Sequence, residues 1–410
     1  MTIHPRLLHK LETLSSRSTE SSQNKQSADS NESDRSASIP VILYYCRPRE
    51  EVRQCILRRY GPIKYELPFI NAMALDLPPE KVKLIAKERM VQWITEDVAV
   101  SKVGEGEPTG NPRRPPARRV PLPTRPMPER RRPGRPAAVA VIDTGVALHP
   151  DLLFPKNRIR GFCDLIHGKT EPYDDDGHGT HIAGILSGLA SWPGQEKSGS
   201  RLAAAVAAEH RWSPDIVAIK ALDGEGNGTA SDILAAMQWT VNHRRHFNIR
   251  VVNLSLGVSA DHEDDSDPLV RGVEALTRFG LCVVAAAGNS GPKPHTISSP
   301  GISPYAITVG AHDGSHVASF SSRGPTPQGL VKPDLVAPGV DILSLANDSA
   351  GYIRQSGTSM AAPFVSRAAA GLCQDYPFAG PLLIKELLLS RTIPLSDESL
   401  EAQGRGALVP

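Results

Sequence analysis

The stretch AAVAVIDTG, residues 137–145, is the starting point for the fold of this chain. A short run of small apolar residues ends here in an Asp-Thr-Gly turn. Such a run is typical of a strand that is buried on both faces, as in a parallel sheet covered by helices. Asp143 then lies at the carboxyl end of the strand, the edge of an open α/β sheet where functional groups collect.

Further apolar runs of the same kind follow along the chain. They are IVAIKAL at 216–222, IRVVNLSL at 249–256, LCVVAAA at 281–287 and YAITVG at 305–310. Helical patterns fit the intervals 178–190, 229–246 and 267–279. This alternation predicts an α/β fold for residues 137–410, with a doubly wound, mostly parallel sheet.

Residues 39–100 have a different pattern, which predicts a small α+β unit of ferredoxin-like type. A β-prone run at 40–46 precedes a helical pattern, two short strand candidates lie within 63–77, and a helix opened by Pro79 leads to a last strand at 90–95. The predicted order is βαββαβ. That order is common among unrelated proteins, so it assigns no function by itself.

Residues 1–38 and 101–136 lack the apolar content of a packed domain. Ten of the 24 residues from 15 to 38 are Ser, which predicts a disordered tail for 1–38. Residues 111–136 hold nine Pro, nine Arg and one Glu, which predicts an extended, solvated linker over 101–136. A nucleic-acid arm is the less favoured alternative, because this segment has no aromatic residues for base stacking.

Composition and targeting signals bound the class of protein. The chain has 410 residues with 40% hydrophobic residues and a net charge of +2, so two or three domains fit its length. No apolar run approaches the ~18 residues of a membrane span, and no secretory signal is visible. We expect a cytoplasmic monomer without membrane or nucleic-acid partners, while release by a route without a signal peptide stays open. Five scattered cysteines without a CxxC pattern favour reduced thiols.

His178 lies in the motif YDDDGHGTHIAGIL, residues 173–186. Glycines on both sides let the backbone turn sharply, so we expect His178 in the first turn of a helix, with its imidazole directed into a cleft. His181 follows one helical turn later, and two His at this spacing could ligate a metal ion. Because no third ligand is evident nearby, a structural role for His181 is favoured and no metal site is predicted.

Two more motifs place polar side chains at the ends of elements. In SGTSMAAPFV, residues 356–365, Ser359 enters a helix whose amide groups and macrodipole stabilise negative charge, as acyl transfer requires. In VVAAAGNSGP, residues 283–292, Asn289 follows a buried run, and its amide could donate to an oxyanion. Taken singly, each fits a helix N-cap or a turn residue. With Asp143 and His178 they build one site.

Together these motifs resemble those of the subtilisin-like (subtilase) serine peptidases. The resemblance rests on AVIDTG, DDDGHGTHIAG, VVNLSLG, AAAGNSG and GTSMAAP, and on the Asp, His, Ser order along residues 137–394. It implies that Asp143 orients His178, and that His178 acts as general base for the nucleophile Ser359. It also implies that Asn289 is an oxyanion donor in a serine endopeptidase.

The resemblance also implies how polypeptide substrates bind. Ser255, Leu256 and Gly257 would form an edge that pairs with extended substrate backbone. The residues implied to line the pocket for the residue before the cleaved bond are Ala286, Gly288 and 300–301. Because backbone pairing is insensitive to side chains, broad specificity follows.

The unit over 39–100 resembles the family's inhibitory propeptide. The matching segments are INAMALDLP at 70–78 and WITEDVAV at 93–100, with a helix between them. The resemblance implies a zymogen in which this unit is an intramolecular inhibitor. Self-cleavage would then fall after Asp97 and before Pro108.

Three features of the sequence have more than one interpretation. The family's calcium ligands are not identifiable before the first strand or in the loop 187–213, so no cofactor is predicted, although calcium stays open by resemblance. The acidic segment ADHEDDSD, 260–267, either rims the cleft and favours basic peptides or is a solvated loop. The alternative function is a catalytically silent subtilase fold that acts as a binding module.

Overall fold

A computed structural model describes residues 3–23, 38–104, 136–188, 213–258, 267–348 and 350–409. Most of the predicted basic linker, the loop that follows residue 188 and almost all of the acidic segment lie outside these residues. The Ser-rich sequence from 24 to 37 also lies outside them.

The first part of the chain forms a four-stranded antiparallel sheet with two helices, and a third helix precedes this unit. Its order is β2-β3-β1-β4, and the βαββαβ succession is the one that the sequence predicts. The strand β5 follows and leaves this unit. The elements are α1 (Pro5–Gln23), β1 (Ile39–Tyr45), α2 (Arg49–Arg59), β2 (Tyr65–Leu67), β3 (Ala72–Leu77), α3 (Pro79–Ile85), β4 (Val91–Glu96) and β5 (Ala99–Lys102).

The prediction of a disordered tail over 1–38 is wrong for residues 5–23, which form α1. Leu7 and Leu11 are spaced by one helical turn and are both fully buried against the four-stranded unit. Lys10 forms an ion pair with Glu96 at the end of β4. The prediction of disorder rests on the Ser content of the segment. The two leucines nevertheless form an apolar face that is sufficient to dock a helix.

The second part of the chain is built on a large sheet flanked by helices. The strands are β6 (Ala138–Asp143), β7 (Ile159–Asp164), β8 (Asp215–Lys220), β9 (Asn227–Thr229), β10 (Ile249–Leu254), β11 (Leu256–Gly257), β12 (Cys282–Ala286), β13 (Ile307–His312), β14 (Leu335–Pro338), β15 (Ile342–Leu345), β16 (Tyr352–Gln355), β17 (Thr392–Ile393) and β18 (Ala407–Leu408). The helices are α4 (Pro150–Leu153), α5 (His178–Ser187), α6 (Ala230–Phe247), α7 (Pro268–Arg278), α8 (Thr358–Asp375), α9 (Pro381–Leu389) and α10 (Leu400–Gln403).

Nine strands of the described chain share this sheet, in the order β17-β18-β14-β13-β12-β10-β6-β8-β7. All neighbouring pairs are parallel except β17 with β18. The predicted α/β class with a doubly wound, mostly parallel sheet is therefore confirmed.

Both faces of the sheet are covered, which explains the continuous apolar runs. Along β6, Val139 and Val141 face the cluster that contains α5 and α8, whereas Ala138, Ala140 and Ile142 face the cluster that contains α6 and α7. A strand with a core on each side has no position for an exposed polar residue. Polar groups are therefore concentrated at the strand ends.

The four-stranded unit docks on α6 and α7. Ile42, Tyr44 and Leu67 belong to the same buried cluster as the inner faces of these helices. Polar contacts border the cluster, since the Tyr65 hydroxyl donates to Asp232 Oδ1 at 2.9 Å. This docking directs β5 from the unit into a cleft at the carboxyl edge of the large sheet.

Candidate active site

The ends of β6 and α5 bring Asp143 and His178 together. Asp143 is the last residue of β6 and is fully buried. His178 is the first residue of α5, and its Nδ1 lies 2.7 Å from Asp143 Oδ1. Because the carboxylate accepts the proton of Nδ1, the other ring nitrogen, Nε2, is left as an acceptor. Nε2 is buried and makes no hydrogen bond to the residues that the structure describes.

Glycines set the close approach of these two elements. Gly177 has φ of 106°, a conformation that residues with a side chain rarely adopt. A Cβ on Gly179 would lie 2.2 Å from the carbonyl oxygen of Gly145, so a glycine is required where α5 begins against the turn after β6. Asp174 fixes the same turn, because its Oδ2 accepts a hydrogen bond from the backbone N of Thr180 at 2.8 Å.

Opposing effects set the pKa of His178. Burial lowers this pKa, but the charge and hydrogen bond of Asp143 outweigh it, so that the net pKa lies above the usual value for histidine. Lys102 lowers the pKa and Asp176 raises it, both to a smaller extent. The site therefore stabilises the imidazolium that forms when His178 takes up a proton.

Ser359 lies in the first turn of α8 and is fully buried. Its hydroxyl donates to the carbonyl oxygen of Ser255 at 3.2 Å, and the carbonyl oxygen of Val103 lies 3.4 Å away. The Ser255 hydroxyl in turn donates to the carbonyl oxygen of Ser359 at 3.0 Å. These contacts hold the start of α8 against the segment that links β10 to β11.

The side chain of Asn289 is oriented by the start of α8. Its Oδ1 accepts hydrogen bonds from the backbone N and from Oγ1 of Thr358, both at 2.9 Å. With the oxygen held in this way, Nδ2 points into the cleft and donates to the carbonyl oxygen of Gly104. Asn289 thus presents an N–H donor on the same side of the cleft as Ser359.

An extended segment of the chain itself, residues 99–104, lies along the edge that the sequence predicts for substrate. Its strand β5 pairs antiparallel with β11 on one side and with β9 on the other. The backbone N of Val103 donates to the carbonyl oxygen of Ser255 at 3.3 Å. The residues paired on the predicted edge are Leu256 with Lys102 and Gly257 with Ser101.

The residues predicted for the pocket meet at the end of β12. Ala286 is the last residue of β12, and a Cβ on Gly301 would lie 3.0 Å from its carbonyl oxygen. Gly288 has φ of 107°, and its backbone N donates to Thr358 Oγ1 at 3.1 Å. Val103 packs against the hydrophobic cluster that contains Ala286. The predicted pocket residues are therefore brought to one place.

Sequence reasoning did not find the second wall of the cleft or the charges along it. The wall is β9, which lies in a Gly-rich stretch without a strand signal. Lys102 Nζ lies 2.5 Å from Asp176 Oδ2, a contact across 74 residues that no local pattern indicates. Lys220 is fully buried and donates to the carbonyl oxygen of Thr144 at 2.7 Å. A lysine within an apolar strand was the available signal for this last contact.

His181 takes no part in this group of side chains. Its Nε2 lies 3.1 Å from the carbonyl oxygen of Ile342 and 3.2 Å from that of Ile353. Burial and the neighbouring His178 lower the pKa of His181 to about 4, so the ring is neutral and donates to the β15–β16 hairpin. These contacts support the structural interpretation of this residue.

No metal-binding group is evident in the described parts of the chain, where no three His, Cys, Asp or Glu side chains are arranged to hold an ion. Among the same residues, no helix has the length and apolar character needed to cross a membrane.

A mostly parallel sheet that gathers Asp, His, Ser and Asn at glycine-bounded element ends is the architecture of a subtilisin-like serine peptidase. A profile described as the subtilase family matches residues 134–406. The chain therefore belongs to the subtilase family and is a subtilisin-like serine endopeptidase.

Named relatives agree with this assignment. Serine protease AprX of Bacillus subtilis (strain 168) is 41% identical over 303 residues, which cover 67% of this chain and 65% of AprX. The alkaline protease of Shouchella clausii is 34% identical over 341 residues, 83% of this chain and 79% of that protein. Subtilisin BL of Lederbergia lenta is 37% identical over 267 residues, 65% of this chain and 87% of that protein. The match to AprX thus spans slightly less than two thirds of AprX.

Proposed function

We propose that the chain hydrolyses peptide bonds through an acyl-enzyme on Ser359. The proposal rests on the segment 99–104 in the cleft. The carbonyl oxygen of Val103 lies 3.4 Å from Ser359 Oγ, and that of Gly104 accepts a hydrogen bond from Asn289. A peptide held in this way lies between a nucleophile and an amide donor, so proximity and orientation are provided before reaction.

His178 acts as the general base and Asp143 orients it. A serine hydroxyl is a weak nucleophile at neutral pH, so Nε2 of His178 must take its proton as Oγ attacks the carbonyl carbon. The hydroxyl therefore turns from the carbonyl oxygen of Ser255 toward Nε2 in the reactive state. His178 then delivers the proton to the leaving amine, and activates the water that releases the acyl group from Ser359.

Asn289 stabilises the negative charge on the carbonyl oxygen of the tetrahedral intermediate. Thr358 fixes the amide before substrate arrives, so little reorganisation is needed during reaction. The backbone N of Ser359, in the first turn of α8, is the second donor that we assign. Loss of one such donor lowers turnover by ~10²- to 10³-fold; the measured example behind this figure is itself a subtilisin.

Substrates bind as an added strand between β9 and β11, in the place of β5. Hydrogen bonds from the 255–257 edge to substrate backbone provide affinity without reading side chains, which gives broad specificity. Proton transfer and oxyanion stabilisation are supplied by side chains of one chain. We therefore assign no cofactor to the chemistry, and a monomer is sufficient for it.

The unit over 39–100 acts as a propeptide that blocks the cleft and is removed by self-cleavage. The cleaved bond is the one after Val103 or the one after Gly104. The hydrogen bond of Val103 N to Ser255 favours the first bond, and the hydrogen bond of Asn289 to Gly104 favours the second. The mass of the released fragment distinguishes the two.

The test compares wild-type protein with Ser359→Ala, with Ser356→Ala as the matched control on the same segment. We expect wild-type and Ser356→Ala chains to be cut after residue 103 or 104 and to hydrolyse casein, while Ser359→Ala stays intact and inactive. Casein hydrolysis that survives in Ser359→Ala would refute the assigned nucleophile. A folded wild-type chain that hydrolyses nothing would favour the silent binding module.

A further inference from the structure

The carboxylate of Asp176 lies beside the cleft, next to the side chain of Lys102, the residue that precedes Val103. Asp176 Oδ2 lies 2.5 Å from Lys102 Nζ, and the Asp176 side chain is only 8% exposed. In the described part of the chain, Asp176 forms no other ion pair. A substrate that replaces this segment would therefore meet a partly buried negative charge at the same position.

The carboxylate is held in place rather than free to swing away. Its Oδ1 accepts a hydrogen bond from the backbone N of His178 at 3.0 Å, and the backbone N of Asp176 donates to Asp174 Oδ1 at 3.2 Å. One oxygen thus caps the start of α5 while the other faces the cleft. A fixed acceptor of this kind loses little entropy when it binds a cation.

Beside Gly226, the cleft has room for the long side chain of Lys102. A Cβ on Gly226 would lie 2.6 to 2.8 Å from Cδ, Cγ and Cε of Lys102, so the aliphatic stem packs where a larger residue would collide. The backbone N of Lys102 donates to the carbonyl oxygen of Gly226 at 2.8 Å. Gly226 therefore accommodates the stem, and Asp176 receives the charged head.

We propose that Asp176 selects substrates that carry lysine or arginine at the position of Lys102. This inference rests on the proposed function of the same cleft. The nearby Asp175 does not serve this purpose, because its carboxylate pairs with Lys220 at 2.6 Å. A substrate with a neutral residue at this position leaves Asp176 partly buried without a cation, which disfavours its complex.

The test uses internally quenched peptides with the sequence of residues 99–106, AVSKVGEG, and variants in which norleucine or glutamate replaces the lysine. Lysine and norleucine share an aliphatic stem, so their ratio of kcat/KM isolates the charge. We expect self-processed wild-type enzyme to prefer the lysine peptide by about 10- to 100-fold at low salt, and to prefer it less as salt rises. The glutamate peptide should be the poorest.

Two variants assign the preference to one side chain. In Asp176→Asn the lysine-to-norleucine ratio should fall to about 1, whereas Glu225→Gln should keep the wild-type ratio. Glu225 is an exposed acid next to Gly226, so its substitution makes the same change in net charge beside the cleft. Measurement at alkaline pH keeps His178 neutral in every variant, so an altered His178 pKa does not enter the ratio.

The proposal is overturned if wild-type enzyme cuts the lysine and norleucine peptides at equal rates, or if Asp176→Asn keeps the wild-type ratio. An equal fall of the lysine-to-norleucine ratio in Glu225→Gln would also overturn it, because the preference would then depend on the net negative charge near the cleft and not on Asp176. Failure of the proposed function has a different signature, since no peptide would be hydrolysed or Ser359→Ala would hydrolyse all of them. If Asp176→Asn does not fold, the lysine-to-norleucine ratio of the wild-type enzyme and its dependence on salt still test whether a charge selects the substrate.

Discussion

Replacing Lys220 with methionine is expected to destabilise the fold by about 2–6 kcal/mol, because two buried carbonyl groups lose their donor. Lys220 Nζ is fully buried at the end of β8 and donates to the carbonyl oxygens of Thr144 and Leu222 at 2.7 and 2.9 Å. Each carbonyl left without its donor costs about 1–3 kcal/mol. The third partner, Asp175, is 40% exposed, so water replaces the ammonium there and this contact adds little. Methionine preserves the volume of the side chain, so no cavity contributes.

The assay is urea unfolding of Ser359→Ala protein, in which self-digestion does not compete with unfolding. Lys156→Met is the matched control, because Lys156 pairs with Asp215 at 2.9 Å but is 48% exposed. We expect the control to lose no more than about 1 kcal/mol. A loss in Lys220→Met that equals the loss in the control would refute the idea that buried carbonyls depend on this lysine.

Three further changes test the site and the N-terminal helix. Asp143→Asn should lower kcat by ~10⁴-fold. It should also move the acid limb of the pH–rate profile to lower pH. Activity disappears as pH falls through the pKa of His178, and loss of the carboxylate lowers that raised pKa. An unmoved acid limb in a pH series of peptide hydrolysis would contradict this. Asn289→Ala should lower kcat by ~10²- to 10³-fold with little change in KM; a change confined to KM would argue against an oxyanion donor. Leu11→Ala in Ser359→Ala protein should lower the urea midpoint of unfolding, because the N-terminal unit loses about 2–5 kcal/mol of its free energy of unfolding. An unchanged midpoint would show that α1 does not contribute to stability.

The sequence was sufficient for the large sheet. It also pointed to four side chains near the cleft, because Asp143, His178, Asn289 and Ser359 each lie within two residues of a glycine near the beginning or end of an element. Asp143 could be placed at the carboxyl edge of the sheet from the strand pattern, since parallel strands end on the same side. His178 could be placed in a cleft only from the glycines on either side of it. Lys102 and Asp176 could not be paired in this way. Their contact depends on where β5 runs after it leaves the N-terminal unit, and that path is set by tertiary packing rather than by local propensity.

The start of α6 contacts the residues before β5, follows the strand that pairs with β5, and binds the docked N-terminal unit. Its first two amides, those of Ala230 and Ser231, have no acceptor within a helix. They donate instead to the carbonyl oxygen of Val98 and to Asp97 Oδ1, both at 2.8 Å, and these two residues directly precede the segment 99–104 in the cleft.

The preceding residues of this stretch form β9, the wall that pairs with β5. Asp232 closes the capping box of α6 with Oδ2, and its Oδ1 accepts the hydroxyl of Tyr65 from the docked unit. If the N-terminal unit leaves after self-cleavage, as we propose, β9 loses its paired strand and α6 loses two acceptors in the same step. Occupation of the cleft and docking on α6 are thus linked through the chain, because the two acceptors directly precede β5.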